Sequence, residues 1–364
     1  MSQLSHGPAP AGAAPASSIE ARIPVHGAVL AGTLTRRSEA GPLPGVLLLG
    51  GTFSELRDGD ADPRHRPDVP PHGMYRLLAE SLTAAGFAVL RFDRRGCGQS
   101  SGSRPDRATE IEDGLAAWRW LAEETATSSA IAMVGESAGA YVLCRMAAAG
   151  ATPAAAVLQG ALYRSIPGLI RFNAERARSW WERGPAERAW LWAKARREYE
   201  SATLWPALAA ALEAGDRSVA VNDERGRIEH DLTDLAFDIA NPPADQFRYL
   251  RCPTLVVHGA DDLNVPVEDS FETIRALWEA GNRDVELRIL ARADHSLQQT
   301  PEDGDGRVRE RLSMASFRRP FHALYPSVVT DFLVHRLLPR SVPTAPEPAG
   351  ERDRRLPGLP GSLA

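Results

Sequence analysis

The sequence predicts an α/β protein built on a mostly parallel, doubly wound sheet. Short, unbroken apolar runs recur along the chain, and segments of helical length and period separate several of them. Runs of that kind suit strands whose two faces are both covered by helices.

In chain order, residues 1–17 are rich in alanine, proline and glycine without periodicity, as are 341–364, and both are expected to be disordered tails. EARIPVHGAVLAGTLTRR (20–37) alternates around His26-Gly27 and predicts an antiparallel hairpin at the sheet edge. Buried strands are expected at VLLLG (46–50), AVLRFD (88–93), IAMVG (131–135), AAVLQG (155–160), TLVVHG (254–259) and VELRIL (285–290). Helices are expected over 74–86, 108–124 and 267–281, and over AYVLCRMAAAG after the third of these strands. The alternation stops at 163–248, which holds Trp180, Trp181, Trp190, Trp192 and Trp205 among many arginines. This segment predicts a helical lid insertion into a core formed by 18–162 and 249–340. Packing between the inserted helices is the commoner use of such aromatics; Trp180 and Trp181 are the candidates for contact with a substrate.

Composition narrows the function. The net charge of -5 leaves no basic excess to neutralise phosphates, so neither a nucleic-acid nor an anionic-membrane partner is expected. Lys194 is the only lysine and lies in the Trp/Arg-rich stretch, which argues against a P-loop, a catalytic Schiff base or a Ser-Lys dyad. Three well-separated cysteines, Cys97, Cys144 and Cys252, suggest a reducing compartment. With no signal-peptide pattern and no apolar run of about eighteen residues, the cytoplasm is the expected location.

The chemistry begins at IAMVGESAGAYVL (131–143), where G-x-S-x-G stands between a strand pattern and a helix pattern. A serine there sits on a sharp turn at the carboxyl end of a parallel strand, so Gly135 and Gly139 must be free of side chains for the turn to form. Its hydroxyl needs a general base, and the base needs a carboxylate, in the order Ser, acid, His after late strands. TLVVHGADDLNVP supplies Asp262, and VELRILARADHSL supplies His295. Of nine histidines only His295 has this setting; His258, at a strand end, reads as structural. Asp261 points to the other side of the turn, and Asp294 shapes the histidine loop. The oxyanion donors are expected to be the N–H of Ala138 and one from LLLGGTF, with Thr52 ahead of Phe53. Glu136, beside the serine, is a candidate substrate contact.

On these residues the chain resembles the α/β-hydrolase fold superfamily over about 20–338, apart from most of 163–248. LLLGGTFSELRDGD and RFDRRGCGQSSG, between Val46 and Gly102, resemble a bacterial serine-hydrolase branch related to prolyl-oligopeptidase-like and thioester-cleaving esterases. One departure is Gly-Gly-Thr where many relatives carry His-Gly. The resemblance makes RFDRRGCGQS a structural turn, with Asp93 and Arg95 as braces. DGDADPRHRPD (58–68) is not an EF-hand, because Pro63 replaces the turn glycine and Val69 the bidentate glutamate. His65 and His72 match no zinc spacing. No metal or cofactor is expected.

The expected activity is two-step acyl transfer on an ester or thioester of a small-molecule acyl substrate. Capture of the same acyl-enzyme by an alcohol or amine would make an acyltransferase or cyclase, and a non-catalytic binding protein is the reading from another class. Oligomeric state, a homodimer included, is left open.

Overall fold

The computed structural model describes residues 16–37, 41–124, 127–161, 165–223 and 226–338. The strands are β1 (Ala16–Val25), β2 (Ala28–Arg37), β3 (Leu43–Leu49), β4 (Ala88–Phe92), β5 (Thr127–Glu136), β6 (Ala155–Gln159), β7 (Ser218–Asp223), β8 (Gly226–Asp231), β9 (Thr254–Gly259) and β10 (Val285–Leu290). The helices are α1 (Met74–Ala85), α2 (Arg107–Glu123), α3 (Ala138–Ala148), α4 (Ile166–Trp181), α5 (Pro185–Lys194), α6 (Arg196–Ala214), α7 (Thr233–Ala240), α8 (Pro243–Gln246), α9 (Glu268–Glu279), α10 (Gly304–Leu312) and α11 (Tyr325–Leu337).

The main sheet runs β1-β2-β4-β3-β5-β6-β9-β10. From β4 to β10 every neighbouring pair is parallel, and β1 and β2 form the antiparallel edge. All six apolar runs are parallel strands of this sheet. Successive side chains of a strand face opposite ways, and here each direction meets its own core. Leu47 and Leu49 of β3, Leu158 of β6 and Val256 of β9 join residues of α2 and α3 on one face. Val46, Leu48, Val157, Leu255 and Val257 join α1 and α11 on the other. The predicted double winding follows from this alternation.

Two details differ from the sequence reading. Ala16 and Ser17 belong to β1, where their backbones pair with Arg37 and Arg36; the rest of the expected tails, 1–15 and 341–364, lies outside the described residues. Between β6 and β9 the chain is not wholly helical. It makes α4, α5 and α6, then the separate hairpin β7-β8, then α7 and α8. That hairpin is mostly exposed and polar, so it lacks the apolar run that marks a buried strand.

The turn after β4 is braced as expected. Asp93 is 3% exposed and accepts hydrogen bonds from the Arg57 backbone N–H (2.8 Å), its guanidinium (2.7 Å) and the Gln99 N–H (2.9 Å). Arg95 holds the Asp113 carboxylate of α2 and the His26 carbonyl of the first hairpin. The acidic 58–68 loop is also tied down, with Asp60 accepting from the His72 and Gly73 N–H groups beyond it and Asp62 paired to Arg64 within it. Removing one member of a buried, hydrogen-bonded pair typically costs about 3–5 kcal/mol. Asp93→Ala is therefore expected to lower unfolding stability by about 3 kcal/mol in urea titration, with the loss read as a shift in midpoint at unchanged slope.

Candidate active site

Ser137 directly follows β5 and is the N-cap of α3, with φ 51° and ψ −116°. A side-chain-bearing residue pays about 1–3 kcal/mol for such a conformation, so its surroundings must impose it. They do so by close approach. A Cβ on Gly139 would lie 2.0 Å from the Leu49 carbonyl oxygen, and one on Gly135 2.5 Å from that of Gly139. The Ser137 N–H donates to the Gln159 carbonyl at the end of β6 (2.8 Å). Strand, turn and helix thus lock the serine at the carboxyl edge of the sheet, where open α/β sheets place ligands.

Asp262 follows β9 and His295 follows β10, and the two meet: His295 Nδ1 lies 2.7 Å from Asp262 Oδ2. Asp262 is fixed from its other oxygen, which accepts the N–H groups of Asn264 (2.7 Å) and Val265 (2.9 Å). Burial works against its charge, but His295 and His258 outweigh it and hold the carboxyl well below the usual carboxylate range. Asp294 receives the N–H groups of Ser296 and Gln298 and so shapes the histidine loop. Asp261 turns away to Thr300 Oγ1. Ser137 and His295 line one cavity of about 300 Å³, whose wall also includes Thr52, Phe53, Glu136 and Leu169. That volume sits at the small end of ligand sites.

The family model described as serine aminopeptidase, S33 (Hydrolase_4), matches residues 72–302. The chain belongs to this family. The match supports the α/β-hydrolase class of serine hydrolases and does not reach the prolyl-oligopeptidase-related branch. No curated protein matches the sequence. Among solved structures, the esterase Pf2001 of Pyrococcus furiosus aligns at 17% identity and a TM-score of 0.52, covering 89% of this chain and 91% of that one. Est1E of Butyrivibrio proteoclasticus aligns at 15% identity and 0.54, covering 87% and 98%. The α/β hydrolase GrgF of Penicillium sp. sh18 aligns at 18% and 0.53, covering 89% and 99%. At these identities the likeness is one of fold. No helix among the described residues is long and apolar enough to cross a membrane.

The S33-family core places the other expected residues unevenly. Thr52 and Phe53 reach the cavity, and their N–H groups, like that of Ala138, have no acceptor among the described residues. Glu136 also borders the cavity, but its carboxylate turns back to accept from the Gly51 N–H (2.8 Å) and Ser54 Oγ (3.0 Å). It is chiefly a brace of the Gly50–Phe53 loop. Trp180 and Trp181 are not at the cavity. Trp180 is 1% exposed and packs with Leu191, Ala195 and Leu312, and Trp181 lies against this cluster under Arg188. Their helix turns its other side toward Ser137, through Leu169, Ile170 and Asn173.

Sequence reasoning missed two supports. Arg94, inside RFDRRGCGQS, donates to the Gly50 and Gly51 carbonyls (3.2 and 2.7 Å) and pairs with Glu110 (3.0 Å). Gly160 lies beneath the His295 ring, where a Cβ would stand 3.0 Å from Cε1. His258, read from the sequence as structural, is buried with its Nε2 3.1 Å from Asp262 Oδ2. The described residues hold one group with potential metal-ligand atoms, Asp62, His65 and Cys97, but Asp62 there already accepts from Arg64 and the Gly98 N–H. Burial raises the thiols of Cys97, Cys144 and Cys252, which disfavours a thiolate nucleophile.

Burial favours the neutral ring of His258, yet the hydrogen bond and charge of Asp262 prevail and raise its pKa above 6.5. A pKa raised on folding adds stability that is complete below the unfolded value and is lost as pH rises through the folded one. Urea unfolding of wild type and His258→Gln is therefore expected to show a wild-type advantage at about pH 5.5 that shrinks by about pH 9.

Proposed function

We propose that the protein is a serine hydrolase that cleaves a carboxylic ester through a Ser137-His295-Asp262 triad and an acyl-enzyme. The observation that carries this reading is the His295 Nδ1–Asp262 Oδ2 hydrogen bond of 2.7 Å, with His295 lining the same cavity as Ser137. With Nδ1 engaged, Nε2 is the nitrogen left to serve the hydroxyl, and Asp262 stabilises the imidazolium that results.

Ser137 Oγ attacks the carbonyl carbon as its proton passes to His295 Nε2, and the carbonyl π electrons move to oxygen. The Ala138 and Thr52 N–H groups receive that oxyanion; one such donor is worth about 2.7–4 kcal/mol. Collapse expels the alkoxide, which takes the proton from His295. Water, deprotonated by the same nitrogen, then releases the acid and restores Ser137. Glu136 and Arg94 serve this step indirectly by holding the Gly50–Phe53 loop from its N–H and carbonyl sides. Helices α4 and α6 act as a lid, since Leu169, Ile170, Asn173 and Ser201 all face the cavity. A thioester would follow the same path, with a thiolate as leaving group. The esterases among the structural neighbours are in keeping with the ester reading.

The test is labelling with a fluorophosphonate probe together with turnover of p-nitrophenyl butyrate. Wild type is expected to label and Ser137→Ala not to. His295→Ala should keep the fold by circular dichroism while kcat falls by about four to six orders of magnitude, because serine and histidine act as one unit. Unlabelled, folded wild type would overturn the reading.

A further inference from the structure

A second groove, of about 820 Å³, adjoins the cavity over Ser137, and Phe53 and Arg197 line both. The groove is walled by the 65–69 loop, the end of α5, the start of α6 and the turn after α10. Its lining is cationic: Arg66, Lys194, Arg196, Arg197 and Arg318 face it, against the single carboxylate of Asp68. Arg66, Arg196 and Arg197 have acidic partners in Glu55, Glu200 and Glu198. Lys194 and Arg318 have none among the described residues. This concentration of positive charge stands out in a chain whose net charge is -5.

A second layer of positive charge lies behind the cavity wall. Arg311 is 3% exposed; its Nε donates to Asn264 Oδ1 (2.8 Å), and its Nη2 has no acceptor. Arg176 donates to Asn173 Oδ1 (2.6 Å) through Nη2, while its Nε and Nη1 have none. Asn173 and Asn264 are themselves part of the wall facing Ser137. Guanidinium groups are costly to bury without acceptors. Here both stand behind Asn173 and Asn264, on the Ser137 side of Phe53.

We propose that the substrate of Ser137 carries an anionic group, a carboxylate or a phosphate, seated past Phe53 by Lys194, Arg197 and Arg318. The proposal rests on the hydrolase reading above and narrows it to esters or thioesters that carry an anionic group on either side of the scissile bond. Phe53 is the divider: the scissile carbonyl lies on the Ser137 side and the charge on the other. Arg66 and Arg197 stack over its ring at 4.9 and 4.6 Å, which fixes the divider between the two spaces.

The test compares kcat/KM for p-nitrophenyl butyrate with that for mono-p-nitrophenyl glutarate, and for butyryl-pantetheine with that for butyryl-coenzyme A. The first pair reads a carboxylate and the second reads phosphate. At least one anionic member is expected to be preferred by about tenfold, and Lys194→Gln/Arg318→Gln should reduce that preference by about tenfold, the worth of a charged hydrogen bond. Equal ratios in wild type and double variant would overturn the proposal. Calorimetric titration of Ser137→Ala with glutarate and with pyrophosphate separates this from the catalytic reading. Binding that is lost when Lys194→Gln/Arg318→Gln is added supports the anion site even if no ester is turned over. Binding that is absent, or unchanged by those substitutions, refutes the site even if Ser137 proves to be the nucleophile.

Discussion

Ser137 is held at φ 51°, ψ −116°, and the geometry of the site depends on that one turn. A serine would leave this conformation if β5 and α3 let it. They do not, because Gly135 and Gly139 bring the turn against the Leu49 carbonyl and the start of α3 more closely than any side chain permits. The hydrogen bond from the Ser137 N–H to Gln159 ties the same point to β6. The strain is therefore maintained by the packing of three adjacent parallel strands and one helix. The hydroxyl is delivered to the sheet edge as a consequence of the fold rather than of its own preference.

Around that turn the remaining parts are positioned by charged side chains acting over long sequence separations. Glu136 reaches from β5 to the Gly51 N–H, and Arg94 reaches from beyond β4 to the neighbouring carbonyls. The loop that faces the serine is thus clamped on both its donor and acceptor sides. Across the cavity, Asp262 is held by two backbone N–H groups and two imidazoles, so it presents a fixed, ionised oxygen to His295. Preorganised dipoles and charges of this kind need no rearrangement as charge develops.

Much of this was legible in the sequence because it rests on local pattern. The six buried strands are unbroken apolar runs, and the meeting of Asp262 with His295 follows from their both standing just after neighbouring strands β9 and β10. What escaped depends on where a side chain turns. Glu136 reads as a substrate contact until its carboxylate is seen bonded to Gly51. For Trp180 and Trp181 the sequence favours packing but leaves substrate contact open, and the helical period puts Leu169, Ile170 and Asn173 toward the cavity and Trp180 toward Leu191 and Leu312. Arg94 carries no local mark of its role, since it stands between Asp93 and Arg95 and its partners Gly50 and Gly51 are more than forty residues away. The hairpin β7-β8 was invisible because exposed polar strands carry no hydrophobic signature.

In the proposed reaction Ser137, its hydroxyl activated by His295 and Asp262, forms a covalent acyl intermediate. Rapid mixing with p-nitrophenyl acetate, followed by intact-mass and peptide analysis of the acid-quenched protein, tests it most directly. The expected result is a burst approaching one nitrophenolate per chain, with the acetyl group on the peptide containing Ser137. A linear release with no burst, together with an acetyl group on another residue or on Ser137→Ala protein, would contradict it.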